Sequence, residues 1–271
     1  MENKLSHLDE LENKSIFIIR EAYANFKNMA LLWSIGKDST TLLWLCRKAF
    51  YGKIPFPVVH IDTTFKFPEM YTFRDKYAKE FNLNLIIAKN EEALKKGMSY
   101  DKYDALTVNT ELKTNALKQV ITKNKFKAVL VGIRRDEHAI RAKERVFSPR
   151  SQDFLWAYKN QPVELWSYFK TNTVEDDHIR VHPLLHWTEL DIWEYAKREN
   201  IPINELYFAK NGKRYRSLGC VPITTPVISN ADDIDKIIEE IKTTKVSERS
   251  GRAQDKEQAY AMQKLRSLGY M

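Results

Sequence analysis

Residues 29–39 read MALLWSIGKDS, and the order of residue types in that stretch decides the fold. Met29 to Trp33 is an uninterrupted apolar run of strand length, as expected of a short strand buried within a sheet. It passes directly into Ser34-Ile35-Gly36-Lys37-Asp38-Ser39, after which Leu42, Leu43, Cys46, Ala49 and Phe50 mark one face of a helix. Strand, polar glycine turn and helix, in that order, open an α/β unit.

The same alternation continues on both sides. Upstream, Leu5, Leu8, Leu11, Ile16, Ile19, Ala22 and Phe26 keep near-helical spacing, which predicts a helix over 5–26. Downstream, Val58–Asp62 reads as a second strand and Met70, Phe73, Tyr77 and Phe81 as the stripe of a second helix. Leu85–Ala88 is a third strand, Leu112, Ala116, Leu117, Val120 and Ile121 an inward helix face, and Ala128–Val131 a fourth strand ended by Gly132. Ile179–His182 adds a fifth strand, and Thr188 with Asp191 resembles a capping box opening another helix. Strands alternating with helices imply right-handed crossovers, so the predicted fold is an α/β, doubly wound, mostly parallel five-stranded sheet. Beyond Tyr207 the pattern loosens into a basic loop, Gly219-Cys220, Pro222 and Pro226. Residues 215–271 are therefore expected to be a C-terminal extension on a domain of residues 1–214.

Composition narrows the function. The chain has 271 residues, 43% hydrophobic and 30% charged, which excludes intrinsic disorder and fibrous proteins. No apolar stretch approaches the ~18 residues of a membrane span, and the N-terminal MENKLSHLDELENK is polar and mixed in charge, so neither a membrane protein nor a secreted one is expected. Two cysteines, Cys46 and Cys220, are too few for a four-thiolate metal site and fit a reducing, cytoplasmic compartment. A formal net charge of +8 predicts an anionic partner, whether nucleic acid, nucleotide or small oxyanion. Basic residues are not interleaved with aromatics in the manner of an RNA-binding sheet and no zinc finger exists, which argues against a nucleic-acid-binding module.

In open parallel sheets ligands bind beyond the carboxyl ends of the strands. The Ser34–Ser39 turn lies there. Its backbone N–H groups, the hydroxyls of Ser34 and Ser39, the charge of Lys37 and the start of the following helix suit an oxyanion, although an ordinary capped turn has the same spacing. It is neither a Walker loop nor a GxGxxG fingerprint. Residues 134–150 carry six basic and three acidic side chains, and Arg134, Arg141 and Arg145 would share a face if a helix began near Arg135. Pairs such as Glu137 with Arg141 belong equally to a solvated surface helix. His60, on the same sheet edge as Ser34, is compatible with a hydrogen-bonded histidine at a strand end. Cys46 lies on an apolar helix face, whereas Cys220 follows a glycine in a loop.

The Ser34–Ser39 stretch resembles the PP-loop of ATP pyrophosphatases, usually Ser-Gly-Gly-x-Asp-Ser, with Ile35 replacing the second residue. Over about Leu5 to Tyr270 the chain is similar to the small, catalytic subunit family of bacterial sulfate adenylyltransferases. The similarity rests on that turn and on HIDTTFKFPEMYTFRDKYA (60–78), VGIRRDEHAIRAKERVFS (131–148), RVHPLLHWTELDIWEY (180–195), RSLGCVPIT (216–224) and SERSGR (247–252). Thr64-Phe65 stands where that family commonly has Gly-Trp, and the segment between Leu206 and Arg216 is shorter than in many members. The resemblance implies a PP-loop fold and conversion of ATP and sulfate to adenylyl sulfate and pyrophosphate, with Mg²⁺ and a larger GTPase partner subunit. It implies catalytic roles for Lys37, Asp38, Arg134 and Arg135, with Asp38 toward the metal. Nucleotide contacts are implied for Ser34, Ile35, Gly36, Ser39, His60, Asp62 and Gly132. The related phosphoadenylyl sulfate reductases use a cysteine in a Glu-Cys-Gly-x-His context, which Leu218-Gly219-Cys220-Val221-Pro222 does not reproduce. A tRNA-modifying PP-loop enzyme is a further alternative. In the tail, Arg249 and Arg252 are expected near the nucleotide or the partner subunit.

Overall fold

The computed structural model describes residues 5–171, 178–246 and 248. Helix α1 (His7–Asn25) leads to β1 (Met29–Leu32), α2 (Lys37–Ala49), β2 (Val58–Ile61), α3 (Pro68–Glu80) and β3 (Leu85–Ala88). A crossover follows, made of α4 (Glu91–Lys95), α5 (Ala105–Asn109), a π-helical turn (Thr110–Asn115) and α6 (Ala116–Asn124), before β4 (Ala128–Leu130). Then come β5 (Phe147–Arg150), β6 (His178–Val181), α7 (Glu189–Glu199), the short pair β7 (Lys213–Arg214) and β8 (Val227–Ile228), and α8 (Ile234–Thr243).

The main sheet has the order β3-β2-β1-β4-β6-β5, so the turn after β1 leaves from an interior strand. All neighbours are parallel except β5, which runs antiparallel to β6 at the edge. The five expected parallel strands are joined by this sixth one. Pro149 hides β5 in the sequence, since proline removes a ladder donor and is tolerated only at an edge, which is where β5 sits.

Alternate residues of each strand face opposite layers. Met29, Leu31, Val58, Ala128 and Leu130 pack with α1, α2 and α7 in the larger core. Ala30, Leu32, Val59, Ile61 and Val129 pack against Ala116, Leu117, Val120 and Ile121 of α6 on the other face. Both faces are covered, which is why the strands read as apolar runs rather than alternations.

The boundary expected at 214/215 runs through a single hairpin. Arg214 in β7 pairs in register with Val227 in β8, and Ile237 and Ile238 of α8 enter the larger core. The Arg216 guanidinium donates to Glu189 of α7 at 2.7 Å. The described part of the extension is thus built onto the domain rather than appended to it. No helix among the described residues is long and apolar enough to cross a membrane.

Candidate nucleotide site

Gly36 caps α2 without a side chain, so the amide end of the helix borders a cavity directly. Ser34, Gly36, Asp38 and Ser39 line one wall, and Leu32, Val59, Ile61, Val131 and Ile133 supply apolar surface at the carboxyl ends of β1, β2 and β4. Within the turn the Ser34 and Ser39 hydroxyls lie 3.0 Å apart, and Ser39 also donates to the Gly36 carbonyl at 3.0 Å. The Lys37 amide donates to the Tyr207 hydroxyl at 2.9 Å. Gly132 permits the close approach of the segment after β4: a Cβ there would sit 3.1 Å from the Asp38 carbonyl group and the Ser39 Cα. A larger residue at 132 would displace the turn.

Two backbone positions explain the departures in the sequence. Ile35 has φ +68° and Thr64 φ +66°, both in the left-handed region that favours glycine. Ile35 is buried in the core, 1% exposed, while Thr64 is exposed and has its amide held by Asp62 at 2.8 Å. Opposite outcomes follow for the same substitution. Thr64→Gly relieves strain at no packing loss and should stabilise by roughly 0.5–1 kcal/mol. Ile35→Gly forfeits a buried side chain that outweighs the relief and should cost about 1–3 kcal/mol. Urea midpoints of the two variants against the parent test both signs.

Beneath the turn lies a cluster of charges. The Lys37 ammonium is fully buried and lies 3.2 Å from Asp38 Oδ2 and in contact with Glu248 Oε1. The Arg134 guanidinium, equally buried, reaches Asp38 Oδ1, Asp136 Oδ1 at 2.9 Å and Glu248 Oε2 at 2.5 Å. Burial opposes ionisation of Glu248, but Lys37 and Arg134 overcome it and hold that carboxyl far below the ordinary range. Burial alone would likewise lower Arg134, and Glu248, Glu137 and Asp136 reverse the direction.

The sequence reading missed Glu248. Its sequence signal is the SERSGR stretch at 247–252, where one acidic residue stands among two arginines. Arg249 and Arg252 lie outside the described residues.

The expected arginine face does not form. Arg135–Glu137 and Arg141–Lys143 are isolated 3₁₀ turns, because Glu137 folds back onto the Arg134 amide at 2.8 Å and Arg135 donates its amide to Leu185. The chain then enters β5 without room for a helix. Only Arg134 reaches the turn. Arg135 points into a separate cavity with Lys14, Arg145, Glu164 and His186, where it donates to the His186 ring at 2.8 Å. Arg141 lines the main cavity, paired with Glu137. Arg150 pairs with Glu144 at 2.8 Å in full burial, a structural contact.

Asp62 does not line the main cavity. Its carboxylate accepts from Thr64, from the Tyr71 hydroxyl at 2.8 Å and from Lys89 at 3.2 Å, which together outweigh burial and keep its pKa low. His60 is buried beside it and donates from Nδ1 to the Trp33 carbonyl at 2.9 Å. Burial, then Lys66 and Arg74, push the imidazole down to about 4. A histidine neutral when folded but charged when unfolded stabilises fully above pH 6.5 and loses that contribution as pH falls toward 4. Stability should therefore drop by up to about 1.4 kcal/mol per pH unit for this group alone. His60→Asn, which keeps the donor to Trp33, should flatten the profile measured by urea unfolding at pH 7.5, 6 and 5.

Comparison with known proteins places this geometry. Residues 28–226 match the model of the phosphoadenosine phosphosulfate reductase domain family. A protein of Geotalea daltonii called sulfate adenylyltransferase subunit 2 is 45% identical over 300 residues, covering 100% of both chains. A protein of the same description from Bacteroides fragilis is 44% identical over 99% of both. Among solved structures, phosphoadenylyl-sulfate reductase from Candida auris aligns with TM-score 0.57 and 22% identity, over 82% of this chain and 98% of that one. Candida glabrata FMN adenylyltransferase in complex with ATP aligns with TM-score 0.56 and 22% identity, over 81% and 63%. The structural likenesses show the fold, and the full-length identity shows more: the chain belongs to the sulfate adenylyltransferase subunit 2 family, built on the phosphoadenosine phosphosulfate reductase domain.

Proposed function

We propose that the chain transfers the adenylyl group of ATP to sulfate, giving adenylyl sulfate and pyrophosphate. The observation that carries this reading is identity of 45% across the whole length of a relative so described. The site chemistry supports it. Sulfate is a dianion at neutral pH, so its oxygen attacks the α-phosphorus without a general base. The bond from that phosphorus to the bridging oxygen breaks, and pyrophosphate leaves with the electron pair. What the protein must supply is position and neutralised charge. In this reading Ser34, Gly36 and Ser39 cradle the leaving group while Lys37, Asp38 and Arg134 fix the charges around it. Arg135, turned into the other cavity, has no part in it.

No group of three or more His, Cys, Asp or Glu able to hold a metal exists among the described residues. Mg²⁺ does not require such a group, since it keeps to one or two carboxylates and the phosphates of its nucleotide. Asp38, on the cavity wall, is the residue that would hold it. The ion would supply neutralisation of the charge developing on pyrophosphate.

The product anhydride lies uphill of ATP and sulfate, so we assign a second subunit, a GTPase, to drive the reaction in the cytoplasm, consistent with two free buried thiols. The reductase alternative fits less well, because Cys220 is buried and hydrogen-bonded to Thr63 rather than presented for attack. Product analysis after incubation with ATP, Mg²⁺ and sulfate, with and without the second subunit, tests the proposal. Equal amounts of adenylyl sulfate and pyrophosphate are expected. ATP turnover with no adenylyl sulfate would overturn it.

A further inference from the structure

The second cavity carries more positive charge than its own walls answer. Lys14 of α1, Arg135 and Arg145 line it against one carboxylate, Glu164. None of these three cations forms an ion pair with a described residue: Glu164 accepts the Val146 and Phe147 amides at 3.0 and 2.8 Å, and Arg145 donates from Nε to the Pro162 carbonyl at 3.0 Å. Burial, then Lys14 and Arg135, push the His186 ring down to about 4, so the ring that takes the Arg135 hydrogen bond is neutral near pH 7 and adds no charge. Burial also holds Arg135 below its ordinary value, which the nearby Glu164 does not reverse.

One side of this cavity is apolar and open to water. Val163 and Leu165 line it and are exposed, and Trp166, next in the chain, is 87% exposed. Trp166 stands at φ +51° and ψ +34°, a left-handed conformation that bulky side chains rarely adopt and that gathers at binding surfaces. Tryptophan and arginine are the residue types that carry most of the energy at protein interfaces. The face is also one peptide bond from the nucleotide site. Arg134 has extended backbone, φ −125° and ψ 155°, so its side chain leaves toward Asp38 and Glu248 while that of Arg135 leaves toward this cavity.

We infer that the second subunit docks on this face, placing a carboxylate between Lys14, Arg135 and Arg145 and the apolar neighbours of that carboxylate against Leu165 and Trp166. This rests on the two-subunit form of the adenylyl-transfer reading. Charge selects the occupant. Another copy of this chain would set the same cations against themselves across a two-fold axis, and like charges in contact repel. A free oxyanion would satisfy the cations but leave Leu165 and Trp166 in water. A subunit seated here also bears on Arg135, and through their shared backbone on Arg134, the cation beneath the phosphate turn.

Trp166→Asn removes the indole and keeps a residue type that tolerates the left-handed backbone. It should raise the Kd for the purified GTPase subunit, titrated calorimetrically into the full chain, about 10- to 100-fold. Lys14→Glu should raise it about 10-fold and make binding less sensitive to added salt. Both side chains are exposed, so the urea midpoint of each variant, and its Kd for ATP without the second subunit, should match the parent. An unchanged Kd for the second subunit in either variant overturns the inference. Inorganic sulfate and a single-stranded oligonucleotide, titrated into the same proteins, then show which other anion the face serves. A parent that sediments as a dimer and a Trp166→Asn variant that sediments as a monomer would overturn it in favour of self-association. Failure of the parent to bind the second subunit at all would instead strike the two-subunit reading on which the inference rests.

Discussion

Asp38→Ala is expected to lower sulfate-dependent pyrophosphate release by about 10²- to 10³-fold, the usual loss when one preorganised electrostatic group at a reacting centre is removed. Asp38 stands where the cavity wall meets the buried charges: one oxygen faces Lys37 and the other Arg134, and the side chain remains 15% exposed. Removing it frees both cations from their common anchor and takes away the carboxylate assigned to the metal. The fold should survive. Asp38, Asp136 and Glu248 oppose only two cations, so deletion of one carboxylate leaves Lys37 and Arg134 still matched by Asp136 and Glu248. A thermal midpoint within a few degrees of the parent, together with the loss of rate, is the expected pair of results. Retention of near-normal rate would show Asp38 to be a cap rather than part of the machinery.

Much of this could be read from the sequence, and the division has a physical basis. Strands buried on both faces and helices with one apolar stripe leave local periodic signals, which is why the parallel strands and most helices were legible near their observed limits. The Ser34–Ser39 turn was legible because its residue types are themselves the chemistry. The arginine cluster was not, since charge spacing carries no information on whether the backbone is helical, and the fold of 134–146 is decided by Glu137 closing onto Arg134 and by the entry into β5. Nor was the burial of Lys37, which a polar hexapeptide suggests is solvated. Its burial depends on Tyr207 and Glu248, 170 and 211 residues away. Lys37→Ala is therefore expected to destabilise the fold as well as the site, which makes Asp38 the cleaner probe.

Arg134→Met should be the most damaging single change to stability. Its guanidinium is fully enclosed and shared by Asp38, Asp136 and Glu248. Methionine fills a similar volume but leaves three carboxylates facing Lys37 alone, and breaking a buried ion pair from one side costs about 3–5 kcal/mol. For a domain of this size that is on the order of 10 °C in the thermal midpoint. Because the damage comes from uncompensated negative charge rather than from a cavity, a second substitution can undo it: Glu248→Gln on the Arg134→Met background should recover a substantial part of the lost stability, although Glu248→Gln alone is destabilising. That reversal of sign in a double-mutant cycle separates an electrostatic cluster from a packing role. If the two losses simply add, Arg134 and Glu248 act independently, and the enclosed pair under the phosphate turn is not the unit that holds it in shape.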